Sequence, residues 1–134
     1  ELQTPVRLKR NGRYLGARAL DARALLGALA ARVAMLAELY GTDTHPFERN
    51  LAHAAIDQVT LESERLQWAE WTRYSSRQRT HMQLGGVFGA LRLRGPGLPA
   101  LWPLLVLGQW LHVGKATSFG LGCYRIVATD GVDA

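Results

Sequence analysis

The chain has a single cysteine, Cys123, among its 134 residues, so an internal disulfide is excluded. No apolar run approaches the roughly 20 residues of a membrane-spanning helix, and no secretory signal pattern is present. Apolar residues make up 48% of the chain and charged residues 20%, values typical of a globular domain with a real core. We therefore expect residues 1–134 to form one globular domain in the reducing cytoplasm, without membrane contact.

Metal-binding and nucleotide-binding motifs are missing as well. No histidine stands with cysteine or acid at metal-ligand spacing; the four are His45, His53, His81 and His112. Five residues separate Gly108 from Gly114 where the Walker A pattern needs four, and an alanine follows Lys115 in place of serine or threonine. The dinucleotide fingerprint also fails. The sequence predicts no metal and no cofactor.

Positive charge is concentrated in two segments of the chain. Residues 1–20 carry five basic side chains against one acid, and residues 65–94 carry six against one. Residues 21–64, between them, carry three basic side chains against seven acids. Arginine supplies nearly all of this charge, and its guanidinium group is well matched to phosphate. The segregation indicates a nucleic-acid partner.

Helix and strand patterns alternate along the chain. Asp21 is a plausible N-cap for an apolar-faced helix over 21–40, and Gly41 a plausible C′ residue. The other expected elements are strands at 4–10, 59–66, 66–79, 87–94 and 123–128, and a short helix from Pro46. A last helix could start at Pro99 or at Pro103, and its apolar run 104–111 is expected to be buried. This order predicts an α+β, ferredoxin-like fold. It would have an antiparallel sheet, the 21–40 and 103–112 helices on one face, and an extra basic hairpin.

Residues 73–81 follow a period of two that is typical of an extended segment. Four basic side chains would then project to one side over about 27 Å: Arg73, Arg77, Arg79 and His81. Such a row could follow the phosphates of a nucleic-acid backbone, with Tyr74 and Trp71 stacking on bases. The alternative is an ordinary solvated face of a sheet.

A glycine-rich loop follows the last helix. Gly114, Gly120 and Gly122 allow close backbone approach, so their N–H groups could form an anion nest. Lys115, Thr117 and Ser118 add a cation and two hydroxyl groups. The alternative is a tight helix-to-strand connection. His112 beside the loop is the one candidate for acid–base catalysis, or else a phosphate contact or a helix-end residue.

Three stretches resemble the C-terminal domain of the CRISPR pre-crRNA processing endoribonucleases of the RAMP superfamily. They are residues 71–78 (WTRYSSRQ), 85–89 (GGVFG) and 107–125 (LGQWLHVGKATSFGLGCYR). The resemblance implies two tandem ferredoxin-like domains and metal-independent RNA cleavage to a 2′,3′-cyclic phosphate. It also implies RNA contacts for the glycine loop: Gly114, Lys115, Thr117, Ser118, Gly120 and Gly122.

The resemblance leaves the role of this chain open between two functions. In many family members the catalytic histidine lies in the N-terminal domain, so we expect this chain to be the C-terminal half of a longer enzyme. It is then either part of an endoribonuclease that cleaves repeat RNA or a non-catalytic RNA-binding subunit of a CRISPR ribonucleoprotein. The expected partners are CRISPR repeat RNA and other CRISPR-associated proteins. A small-molecule-binding domain is a weaker alternative, since it would not need the arginines.

Overall fold

Strands and helices alternate along the chain in the computed structural model, which describes residues 1–41 and 49–128. The strands are β1 (Leu2–Val6), β2 (Lys9–Arg10), β3 (Arg13–Tyr14), β4 (Thr60–Ala69), β5 (Thr72–Ser75), β6 (Thr80–Gln83) and β7 (Gly86–Arg94). The helices are α1 (Ala22–Tyr40), α2 (Arg49–Ile56) and α3 (Leu98–Leu111), and a 3-10 turn follows at Thr117–Phe119.

The central sheet is antiparallel, with strand order β1-β7-β4. β4 pairs with β7 from Thr60 opposite Arg94 to Ala69 opposite Gly86. On the other edge of β1, Leu2 forms a single antiparallel bridge with Tyr124. Four extended segments in this order, with α1 and α3 as the connections, form the ferredoxin-like fold, and the α+β prediction is confirmed.

The segment after the glycine loop is less regular than the predicted strand over 123–128. The N–H groups of Gln3 and Thr4 both point to the Cys123 carbonyl, at 2.8 and 3.2 Å. The Cys123 N–H in turn donates to the Thr4 hydroxyl at 2.9 Å. Because a side chain and a shared carbonyl replace ladder bonds, the segment forms one bridge and no regular strand.

Both long helices pack on the same face of the sheet, as the sequence predicts. Leu26 and Leu29 of α1 and Leu101 of α3 are fully buried, together with Val6 and Val87 of the sheet. The two helices touch at a small residue of α3, Gly108, where a Cβ would collide with Leu29 and with the Tyr124 hydroxyl. That hydroxyl donates to the Leu105 carbonyl at 2.6 Å, and its burial raises the pKa of Tyr124.

The start of α1 follows the prediction and its end does not. The Asp21 carboxylate accepts the Ala24 N–H at 2.7 Å, as an N-cap does. Burial acts to raise the pKa of Asp21, but this hydrogen bond and the nearby Arg10 outweigh it and lower the pKa. Gly41 has φ −77° and ψ 137°, which is extended backbone, so the expected left-handed C′ role is wrong. Residues 42–48, which contain His45 and the expected helix start at Pro46, lie outside the described residues.

The start of α3 agrees with the first of the two prolines that could begin it, but the burial of α3 differs from the prediction. The helix begins at Leu98, with Pro99 in its first turn, and Pro103 lies inside it. It is buried on one side only, since Trp110 on the other side is 81% exposed and Trp102 is 51% exposed. The expectation that the apolar run 104–111 is buried as a whole was wrong, because such a run has no periodicity to show which side faces the core.

The predicted first strand, 4–10, is divided between two elements. β1 ends at Val6, and β2 pairs with β3 as a separate hairpin. Asn11 and Gly12 form its turn with φ of 52° and 75°. Positive φ at both central residues is the geometry that Asn-Gly favours in a two-residue hairpin.

Candidate nucleic-acid interface

The predicted row of basic side chains over 73–81 is a β-hairpin. β5 and β6 pair from Thr72 opposite Gln83 to Ser75 opposite Thr80. Arg77 and Arg79 lie in the turn between the strands. Because the chain reverses at this turn, the expected row of about 27 Å along one side is wrong.

The hairpin separates the predicted side chains between its two faces. Tyr74 lies opposite His81, and their ring centroids are 5.2 Å apart in an edge-to-face arrangement. Arg73 lies opposite Met82, on the other face. The exposed aromatic and His81 therefore share one face, while Arg73 occupies the other.

The hairpin keeps its positive charge. Within the described part of the chain, ion pairs shorter than 4.0 Å involve other arginines: Arg10, Arg23, Arg92 and Arg94. No described carboxylate lies within that distance of Arg73, Arg77 or Arg79, and all three are exposed. These guanidinium groups are free to meet an external anion.

The glycine loop is anchored on the first strand and the residue after it. The Gly122 N–H donates to the Pro5 carbonyl at 3.0 Å, and the Lys115 N–H donates to the Arg7 carbonyl at 2.9 Å. The Thr4 hydroxyl donates to the Gly120 carbonyl at 2.7 Å. The N–H groups of Lys115 and Gly122 are used in these bonds, so an anion nest here would have to be formed by other N–H groups of the loop.

The three glycines of the loop have different surroundings although all have positive φ, 89°, 84° and 75° in chain order. A Cβ on Gly114 would lie 2.5 Å from the Arg7 carbonyl oxygen, and one on Gly122 would collide with the Val113 carbonyl. A Cβ on Gly120 would have nothing within 4 Å. Gly114 and Gly122 are therefore required by the packing of the loop, and Gly120 is the one that faces open space.

The predicted polar side chains of the loop lie around the 3-10 turn. Lys115 and Ser118 are exposed, and Thr117 is half-buried. The Thr117 carbonyl accepts the Gly120 N–H at 3.0 Å, which closes the turn. These side chains offer one cation and two hydroxyl groups beside the open position of Gly120.

His112 ends α3 and contacts the loop. It is the C-cap residue, with φ 62°, and its N–H donates to the Gly108 carbonyl at 2.8 Å. Its Nδ1 lies 3.2 Å from the Leu121 carbonyl oxygen. A carbonyl oxygen accepts, so Nδ1 carries the proton in this contact and Nε2 is the nitrogen left for a proton transfer.

One contact joins the hairpin to the glycine loop. The Arg73 guanidinium carbon lies 4.4 Å from the centre of the Phe119 ring, a cation–π distance. Phe119 closes the 3-10 turn of the loop. The two regions that the sequence singled out are therefore neighbours in space.

Sequence reasoning missed Thr4 and Arg7, which hold the loop, and Tyr14, which contacts Arg7. Thr4 and Arg7 hold the loop through the bonds given above, and Tyr14 lies against Arg7, with 4.1 Å between its ring centre and the guanidinium carbon. Alternation along 4–10 placed Arg7 on a polar face, and no sequence signal marked its burial. The Asn11-Gly12 turn was the available sign of a hairpin near Tyr14.

In residues 1–41 and 49–128, no group of three His, Cys, Asp or Glu side chains could hold a metal ion. Over the same ranges, no helix combines the length and apolar character needed to cross a bilayer.

Fold and site together define a ferredoxin-like domain in which a basic hairpin and a glycine-rich loop meet. The profile of the family described as CRISPR-associated endoribonuclease Cas6 matches residues 1–124, and the chain belongs to this family. The resemblance noted from the sequence is thereby confirmed.

A solved structure described as a Cas6 product complex is similar to this domain, with a TM-score of 0.55 and 22% sequence identity. The match covers 91% of this chain and 47% of that chain, so this chain spans about half the length of that structure. At this identity the likeness shows the fold. A comparison with curated protein sequences found no match.

Proposed function

We propose that this chain is the RNA-binding domain of an endoribonuclease that processes precursor CRISPR RNA by metal-independent cleavage within the repeat. Membership of the Cas6 family over residues 1–124 supports the proposal. The observation that carries it is the contact of Arg73 with Phe119, which joins the basic hairpin to the glycine loop. The half-length match to the solved structure supports the view that the chain corresponds to one half of such an enzyme, and the three stretches noted in the sequence favour the C-terminal half.

The hairpin and the loop suit different parts of an RNA strand. Arg77 and Arg79 at the hairpin turn have no described carboxylate partner and are suited to backbone phosphates. Tyr74 is 55% exposed and offers a ring for a base to stack on, next to His81. Lys115 lies in the loop, where a phosphate would meet charge and hydroxyl donors together.

The cleavage chemistry needs proton transfer and charge stabilisation. The 2′-oxygen attacks the adjacent phosphorus and the bond to the 5′-oxygen breaks, which leaves a 2′,3′-cyclic phosphate and a 5′-hydroxyl. A base takes the 2′-hydroxyl proton and an acid protonates the leaving 5′-oxygen. In this chain His112 is the candidate for one of these roles through Nε2, and Lys115 for stabilising the phosphate charge.

The second candidate function is a non-catalytic RNA-binding subunit of a CRISPR ribonucleoprotein. One observation favours it: Nδ1 of His112 contacts the loop carbonyl of Leu121, and no second titratable side chain among the described residues is hydrogen-bonded to this ring. A histidine held in this way has a structural role at the end of α3 whether or not it transfers protons.

Repeat RNA incubated in EDTA separates the two functions. We expect the longer native form of the protein to give a product ending in a 2′,3′-cyclic phosphate. Binding without cleavage by the longer form would favour the non-catalytic subunit, and cleavage that stops in EDTA would contradict metal independence.

The RNA-binding part is tested on the 134-residue protein with Arg77→Gln and Arg79→Gln together. The control is Arg23→Gln, because Arg23 already pairs with Asp57 at 2.5 Å. The slope of log affinity against log salt should fall by about 0.7–0.9 for each phosphate that the protein no longer neutralises. Equal slopes for the double variant and the control would mean that the hairpin is a solvated surface.

A further inference from the structure

A buried positive charge lies beneath the proposed interface. Arg7 is only 7% exposed, and among the described residues it is the one charged side chain that is buried. Its Nη1 donates to the Gly85 carbonyl at 2.5 Å, and its guanidinium carbon lies 4.1 Å from the centre of the Tyr14 ring. Burying a cation is costly unless its charge is compensated, so the groups around Arg7 matter.

No described carboxylate lies within 4.0 Å of Arg7. Glu70 is the acid near Gly85, and its carboxylate accepts the Trp68 indole N–H at 2.6 Å. A second cation is present, since the Lys9 ammonium nitrogen lies 4.7 Å from the centre of the same Tyr14 ring. The Tyr14 ring therefore contacts two cations, Arg7 and Lys9, and neither forms an ion pair with a described carboxylate.

Arg7 links the cluster of Arg7, Lys9 and Tyr14 to the glycine loop and to the segment that follows the basic hairpin. Gly85 directly precedes β7, where the chain returns from the basic hairpin. The Arg7 carbonyl accepts the Lys115 N–H of the glycine loop. Arg7 is thus bonded to the glycine loop through its main chain and, through its side chain, to Gly85, two residues after the end of β6.

The β2–β3 hairpin presents this cluster on one of its faces. Lys9 lies opposite Tyr14, and Arg10 lies opposite Arg13, so the two pairs project to different sides. Arg10 is paired with Asp21 at 2.7 Å. The Tyr14 hydroxyl forms no hydrogen bond to any described residue, and the ring is 39% exposed.

We propose that Arg7, Lys9 and Tyr14 form an RNA phosphate site, a third part of the interface beside the hairpin and the glycine loop. The Lys9 ammonium and the Tyr14 hydroxyl contact phosphate oxygens, and Arg7 adds positive potential from below. A phosphate is favoured over a stacked base because the ring already faces two cations and its free group is a hydrogen-bond donor. The inference rests on the proposed RNA-binding function.

Two variants of the 134-residue protein test the site with labelled repeat RNA. Lys9→Gln should lower the slope of log affinity against log salt by about 0.7–0.9, the effect of leaving one phosphate without its cation. Tyr14→Phe keeps the ring and both cations and removes only the hydroxyl, so affinity should fall by about 2- to 10-fold. Arg7 is left unchanged because its removal would disturb the core.

Arg10→Gln is the matched control. It removes one positive charge from the same hairpin, but Asp21 already neutralises that charge. The slope of log affinity against log salt should therefore equal that of the parent. A Lys9→Gln slope equal to that of Arg10→Gln, or a Tyr14→Phe affinity equal to that of the parent, overturns the site. If either of these results is found while the double variant Arg77→Gln and Arg79→Gln still lowers the slope, the proposed RNA-binding function stands and only the phosphate site at Arg7, Lys9 and Tyr14 fails. If the parent does not bind repeat RNA at all, both fail.

Discussion

Gly120 and Gly122 provide the sharpest test of how the loop is built. Both have positive φ, 84° and 75°, yet only a Cβ on Gly122 would collide with protein backbone, at the Val113 carbonyl. Gly120→Ala should cost about 1–2 kcal/mol, the strain of a left-handed alanine. Gly122→Ala carries the same strain plus about 1–3 kcal/mol of overpacking, together about 2–5 kcal/mol.

These costs convert into melting temperatures that a thermal scan resolves. At an unfolding entropy of about 2.1 cal/mol/K per residue, the melting temperature of a 134-residue chain falls by about 3.5 °C for each kcal/mol by which the free energy of unfolding is lowered. We expect Gly120→Ala to melt about 4–7 °C below the parent and Gly122→Ala about 7–18 °C below it. Gly120→Asn should melt closer to the parent than Gly120→Ala, because asparagine tolerates left-handed backbone.

RNA binding gives the second measurement on the same variants. The Gly120→Asn side chain points into open space, so it should leave the fold intact and weaken RNA binding if the strand approaches the loop there. Equal melting temperatures for Gly120→Ala and Gly122→Ala would refute the packing argument. Parent-like affinity of Gly120→Asn would refute a close approach of RNA at this position.

Three other predictions follow from contacts described above. Phe119→Leu removes the ring that Arg73 contacts without changing charge, so repeat-RNA affinity should fall at an unchanged salt slope; parent-like affinity would mean that the contact does not position the hairpin. Asp21→Ala should lower the free energy of unfolding by about 1 kcal/mol at neutral pH in denaturant titrations, and Asp21→Asn by less, because the amide keeps the capping oxygen and loses only the charge that Arg10 pairs. The folded-state pKa of Asp21 is lowered, so the part of its stabilisation that depends on charge is complete above its ordinary pKa of 3.8 and is lost as pH falls through the lowered folded-state pKa; a cost that stays constant down to pH of about 2 would contradict this. His112→Ala should leave cleavage unchanged in a protein that carries the proposed N-terminal half, because we expect the catalytic histidine there; a rate loss of about 10²–10⁴ with binding retained would instead assign acid–base work to His112.

The elements that the sequence predicted well have local signals that agree with their packing. In α1, the Asp21 cap and an apolar face indicate one helix; the face was predicted from Leu25, Leu29, Val33, Leu36 and Tyr40. The first three are buried, Leu36 is half-buried and Tyr40 is exposed, so the prediction holds for the first part of the helix. The order of such elements was enough to predict the ferredoxin-like sheet. The meeting of hairpin and loop was not predictable, because it depends on a contact between Arg73 and Phe119, far apart in sequence.

The errors arose where a local pattern fits two structures equally well. A period of two over 66–79 fits one long strand as well as it fits shorter strands followed by a turn. The turn at 76–79 contains no glycine or proline that would indicate it. Pro99 and Pro103 each suit the first turn of a helix, which left the start of α3 ambiguous. Arg7 alternates like an exposed residue, and only the folded chain places Gly85 and Tyr14 around it.

The anchoring of the glycine loop on β1 also governs the order in which the domain can form. The Thr4 hydroxyl and the Gly120 carbonyl that accepts its hydrogen bond are 116 residues apart, and the loop's other supports are the carbonyls of Pro5 and Arg7. During synthesis these first residues leave the ribosome long before their partners exist, and contacts of such sequence separation form late and slowly. During synthesis, the two basic segments of the nascent chain are therefore present before the glycine loop has formed. The loop that we propose to contact RNA takes its shape only after nearly the whole domain has been made.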